Sequence, residues 1–206
     1  MLSWIIALSA GSLWFGVAIF YLVYTRRRSR ETNEEQGTKL SGGVGRSDAE
    51  LAEAVRQYPT SKTAATRYAR AAQNRKDWDE AVRRWMAMSK RFPNDPTGPV
   101  CAGYALRDAG RFDEADATLL KARKRFPRHE DVYSALASVA HFRKDWPEAA
   151  RRWATVRDKF PDQQAAYANG AAALREAGQP DAAARLLDEA RERFPQSPEV
   201  KPAVTG

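Results

Sequence analysis

Proline recurs in this chain at Pro59, Pro93, Pro127, Pro161 and Pro195, each step being 34 residues. An aromatic residue precedes every one: Tyr58, Phe92, Phe126, Phe160 and Phe194. Twelve residues before the last four prolines stands an alanine, at Ala81, Ala115, Ala149 and Ala183. Four residues after each alanine comes a large apolar residue: Trp85, Leu119, Trp153 and Leu187. A small residue admits a close neighbouring helix, and a large one four positions on shares its face. Proline then ends the helix, because its ring drives the preceding residue out of the α region. The repeated unit is a helical hairpin, and the predicted fold class is all-α, a solenoid of stacked hairpins.

Start and turn signals agree with that register. Asp77 with Glu80 and Asp145 with Glu148 have capping-box spacing, and Pro180 suits a first helical turn. Gly110 and Gly178 fall where the two helices of a hairpin must turn. A longer period overlies the short one. Arg75–Trp78 and Arg143–Trp146 are the same four residues 68 apart, and Leu106–Gly110 and Leu174–Gly178 share Leu-Arg-Asp/Glu-Ala-Gly at the same spacing. A two-hairpin unit has been duplicated.

With this period and its Ala…aromatic…Pro pattern, the chain resembles the tetratricopeptide-repeat family. The resemblance spans four repeats, 62–95, 96–129, 130–163 and 164–197. It is tight in the second helix of each repeat and looser in the first. There the family's tryptophan is replaced by Ala65, Pro99, Tyr133 and Tyr167, and the following small residue is Ala69, Gly103, Ala137 and Ala171. Upstream, Ser47 and Glu50 form another capping box, leading into a half repeat over 48–61 that caps the array. After Pro195 a tail over 198–206 remains, and the apolar face around Leu186, Leu187 and Ala190 needs that tail, a partner or a second copy to cover it.

Before the repeats, Leu2 to Tyr24 runs without a charged side chain and is followed by Arg26, Arg27, Arg28 and Arg30. A helix of that length spans roughly 34 Å, enough to cross a bilayer core of about 30 Å. One transmembrane helix is therefore expected over 1–25, contacting membrane lipid. The arginines orient it with the N-terminus outside and the repeats in the cytoplasm, a single-pass protein of the inner (cell) membrane. Residues 26–47 lack apolar periodicity and end in a Gly/Ser-rich run, which reads as a flexible linker.

The formal charge of +8 is spread rather than concentrated. Nucleic-acid binding needs a basic stripe, and none is present. Cys101 is the only cysteine, so there is neither an internal disulfide nor a four-cysteine metal module. His129 and His141 lie apart with no ligand pattern, and no phosphate loop or nucleophile motif occurs. No catalysis, metal or cofactor is expected.

The resemblance implies that the first helices of successive repeats line a groove for partner proteins. By register its rows are Gln73, Arg107, His141 and Arg175; Arg70, Tyr104, Ser138 and Ala172; and Arg67, Cys101, Ala135 and Asn169. The candidate contacts are Arg67, Arg70, Asn74, Tyr104, Arg107, His141, Asn169 and Arg175, with Phe142 as an apolar neighbour. Their arginines favour an acidic peptide segment, since guanidinium groups grip carboxylates bidentately. The expected function is a membrane-anchored interaction scaffold of bacterial type. The alternative is an accessory or regulatory subunit of a membrane enzyme or an envelope-biogenesis complex, of the lipopolysaccharide or cytochrome c maturation type. Self-association through the apolar helix or the C-terminal edge is compatible with both.

Overall fold

A computed structural model describes the backbone of residues 3–42 and 46–196, with side chains from residue 22 onward. Ten helices and no strand occur among the described residues: α1 Ser3–Ser41, α2 Asp48–Gln57, α3 Lys62–Asn74, α4 Trp78–Arg91, α5 Thr97–Asp108, α6 Phe112–Arg125, α7 Glu130–Arg143, α8 Trp146–Lys159, α9 Gln164–Glu176 and α10 Pro180–Arg193. The chain divides into two compact units between Ala71 and Ala72.

In the second unit each helix packs on the next, α4 through α10, and α5 also meets α7. The register residues form its core. Ala81, Ala115, Ala149, Trp85 and Leu119 are fully buried, and Trp153 nearly so. Gly103 permits the closest approach in the second repeat, since a Cβ there would lie 2.6 Å from Leu119. The tyrosines that replace the family's tryptophan are held by their hydroxyls: Tyr133 donates to the Pro127 carbonyl at 2.9 Å and Tyr167 to the Pro161 carbonyl at 3.1 Å. Each ring also meets the aromatic before the next repeat proline edge-on, Phe160 at 5.5 Å and Phe194 at 5.4 Å. The aromatic–proline register thus locks one hairpin to its own first helix and to the end of the hairpin before.

All four turns are left-handed at the same place. Lys76, Gly110, Lys144 and Gly178 have φ of 60, 75, 63 and 76°. Asp77 and Asp145 accept hydrogen bonds from the backbone of Glu80 and Glu148, both at 3.3 Å. The glutamates do not complete the box there; Glu80 turns to Arg83 and Arg84, and Glu148 to Arg151 and Arg152. At the C-terminal edge Leu186 and Ala190 are buried in a cluster with Tyr167 and Ala171 of α9. The tail expected to cover that face lies outside the described residues.

The first unit corrects the linker. Residues 26–41 are helical, the continuation of α1. Ion pairs one turn apart support the exposed part, Arg27 with Glu31 at 3.0 Å and Lys39 with Glu35 at 2.6 Å. Tertiary contacts fix the rest. Glu34 accepts from the backbone of Lys62 and Thr63 at 2.7 and 3.0 Å, so its carboxylate caps α3. Burial raises the Glu34 pKa, but bonds from Thr63, Lys62 and Ser61 outweigh it and hold the carboxyl below its ordinary value. Gly37 lets α1 touch the turn before α3, where a Cβ would sit 2.4 Å from that of Ser61. Composition suggested a tether because these residues bury little apolar surface; backbone-capping bonds order them instead. Ser47 and Glu50 do form the reciprocal capping box at the start of α2.

The side chains of the apolar stretch up to Tyr21 lie outside the described residues, and so does the anchor expected over 1–25 apart from its last residues. Among the described residues no helix is long and apolar enough to cross a membrane.

Candidate functional site

The first helices of the repeats carry side chains whose positions follow from the 34-residue step. Those of α5, α7 and α9 converge, with Gln73 from the end of α3, on a pocket of about 500 Å³. Tyr104, Arg107, His141 and Asn169, four of the expected contacts, line it together with Ser134, Ser138, Phe142, Trp153 and Gln163. Arg67, Arg70, Asn74 and Arg175 are not in its lining. Arg70, Asn74 and Arg175 stand exposed. Arg67 is engaged in its own unit, donating to the Thr38 carbonyl at 2.9 Å and to the Ser41 hydroxyl at 3.2 Å, where it closes the end of α1. Ala135, placed by register in the third row, is fully buried in the core between α5, α6 and α7.

Arg107 organises the pocket. Its guanidinium lies 4.0 Å from the centre of the Phe142 ring and 4.8 Å from that of Tyr104. It donates to Ser138 at 3.1 Å and pairs with Asp108 at 2.7 Å. Stacking on two rings and pairing with a carboxylate hold this arginine in one orientation. Its charge is largely answered within the chain, which weakens the case for an acidic partner at this point. Burial raises the Tyr104 pKa and lowers that of His141, against the opposing charge of Glu176. The pocket is therefore aromatic and rich in hydrogen-bonding groups, with little net charge. Phe142, the most solvent-exposed of its aromatics at 54%, forms an open apolar edge.

Register alone could not show that Ser134, Trp153 and Gln163 belong to this pocket. Ser134 and Gln163 lie at the start of α7 and just before α9, and Trp153 reaches it from the second helix of its repeat. Among the described residues no group of three or more His, Cys, Asp or Glu is placed to hold a metal ion.

Stacked helical hairpins with a polar, aromatic-edged pocket across successive first helices define a helical-repeat protein, a fold consistent with holding other polypeptides. Tetratricopeptide-repeat family models match residues 102–150 and 143–205, together half of the chain, and the chain belongs to that family. It is similar to a thermophilic tetratricopeptide-repeat protein of Thermus thermophilus, at 18% identity over 83% of this chain and 94% of that one, with a TM-score of 0.60. A second similar structure is MamA from Desulfovibrio magneticus, at 15% identity, 82% and 98% coverage and a TM-score of 0.64. A third is YrrB, a tetratricopeptide-repeat protein with an unusual peptide-binding site, at 15% identity, 74% and 79% coverage and a TM-score of 0.55. At these identities the likeness is one of fold. No curated protein matches the chain.

Proposed function

We propose that this protein is a membrane-anchored, non-enzymatic scaffold whose repeats hold a segment of a partner protein against the Tyr104–Arg107–Phe142 cluster. The single observation that carries this reading is the pocket itself. Three successive first helices contribute side chains to it, an arginine is fixed between two rings, and one ring edge is left open to solvent. An open aromatic edge beside oriented polar groups is what an extended peptide needs for affinity and register. A carboxylate in the partner is better placed at the exposed Arg175 than at Arg107, which already has Asp108.

Anchoring rests on the uncharged run from Leu2 to Tyr24 and the arginines after it, which favour repeats on the cytoplasmic face of the inner membrane. Small residues at Ala7, Gly11, Ser12 and Gly16 favour a second reading, in which the same helix packs in the membrane against an enzyme or an envelope-biogenesis assembly.

A photo-crosslinking residue at Phe142, in the full chain in native membranes, should trap a partner protein. Arg107→Glu with Arg175→Glu should abolish that crosslink; capture undiminished in the double variant would reject the groove. A reporter fused at Gly206 should be active only if it requires the cytoplasm. Capture that persists in residues 48–206 alone supports the scaffold, and capture lost without the apolar run supports the subunit reading.

A further inference from the structure

The duplicated two-repeat unit places Gln73 in register with His141, and Trp85 with Trp153. In the first repeat the buried Trp85 indole donates its N–H to the Gln73 side-chain oxygen at 3.0 Å. In the third repeat the corresponding indole N–H of Trp153, a residue only 5% exposed, has no hydrogen-bond partner. The His141 Nδ1 and the Ser134 hydroxyl are likewise buried without a partner. All three residues line the same pocket. Buried polar atoms are nearly always paired, and these three leave hydrogen-bonding capacity unused beside one cavity.

We propose that this pocket is a carboxamide subsite, taking a glutamine or asparagine side chain of the bound segment. That side chain would give Trp153 the oxygen that Gln73 gives Trp85. The proposal rests on the reading that the groove binds a polypeptide, and it names what the groove selects. A carboxamide has both an acceptor and two donors. It answers the indole, which only donates, and it also answers the imidazole and the hydroxyl. A carboxylate only accepts, and the cavity offers it no free positive charge, since Arg107 is paired with Asp108 and burial, against the charge of Glu176, lowers the His141 pKa and so disfavours the imidazolium. An apolar side chain would leave every orphan unpaired.

The test uses the full chain in detergent micelles with ¹⁵N-labelled tryptophan, the Trp153 indole resonance being assigned from Trp153→Phe. Three blocked tripeptides, acetyl-Gly-Xaa-Gly-N-methylamide with Xaa Gln, Glu or Leu, are titrated in. The Gln probe should shift the Trp153 indole resonance saturably, with the Glu and Leu probes at least ten-fold weaker. His141→Gln, which rebuilds the Gln73–Trp85 pair inside the third repeat, should abolish that response while the Trp85 resonance stays in place. A Glu probe binding as well as the Gln probe, or a response that survives His141→Gln, overturns the carboxamide assignment. Silence of Trp153 toward all three probes overturns the subsite as well. Crosslinking through Phe142 separates either result from a failure of the groove to bind a partner at all.

Discussion

Arg152 on α8 reaches back to Asp116 on α6, its guanidinium nitrogens 2.5 and 3.1 Å from the two carboxylate oxygens. The same side chain donates to the Leu136 carbonyl on α7 at 2.8 Å and to Glu148 at 2.7 Å. One arginine, 18% exposed, therefore ties three helices from two successive repeats.

Removing it should cost more than a surface ion pair does. Arg152→Ala leaves Asp116, 17% exposed, with only the longer 3.7 Å ion pair to Arg143, and takes a donor from the Leu136 carbonyl. The expected loss is about 1–3 kcal/mol, against under 1 for an exposed pair. Urea unfolding of the second unit's helices measures it; a loss below about 0.5 kcal/mol would show that the bridge holds nothing together.

Acid should weaken the same region. Hydrogen bonding from Arg151, opposed by burial and reinforced by Arg152, lowers the Glu148 pKa from 4.5 to about 2. A carboxyl whose folded pKa is depressed adds stability that is complete above its unfolded pKa and is lost as pH falls through the folded one. The stability difference between the native chain and Glu148→Gln should be constant above pH 5 and shrink between pH 4.5 and about 2. A difference that does not change over that window would contradict the assignment.

Glycine should improve the two turns that lack it. Lys76 and Lys144 hold a left-handed conformation at the position that Gly110 and Gly178 occupy in the other repeats. Relief of that strain is about 1–2 kcal/mol, and the added freedom of the unfolded chain takes back about 0.5–1. Lys144→Gly should thus raise stability by about 0.5–1 kcal/mol, while Gly110→Ala should lower it by about 1. Thermal melts of both variants decide the point, and a destabilising Lys144→Gly refutes it.

A side chain at Gly37 should loosen α1. Its Cβ would meet Ser61 at 2.4 Å and Tyr58 at 3.1 Å, both in the turn that precedes α3. Gly37→Val should expose the chain around Lys39, so that trypsin cuts there at least ten-fold faster than in the native protein. Equal cleavage rates would mean that this contact does not hold the helix.

The repeated hairpin was legible because every turn of it is local. Proline stops a helix wherever it falls, an alanine and a large residue four apart share a face in any helix, and the step of 34 residues says that each hairpin meets its successor in the same way. Tyr104, Arg107, His141 and Asn169 could be grouped on that step alone. The contacts that break periodicity could not. The helix of 26–41 exists because Glu34 caps α3 from 28 residues away and Gly37 fits against Ser61, matters of distance between segments that no local preference encodes. Register places both Arg67 and Arg107 in the groove, but packing engages Arg67 at the end of α1 and holds Arg107 against Asp108, Tyr104 and Phe142. The sequence by itself determined the all-helical hairpin array, since helix stops, turns and buried faces are properties of neighbouring residues. Which polar groups are satisfied and which stay open, Trp85 against Trp153 above all, only the packed structure decided, because a hydrogen bond depends on where two side chains come to rest.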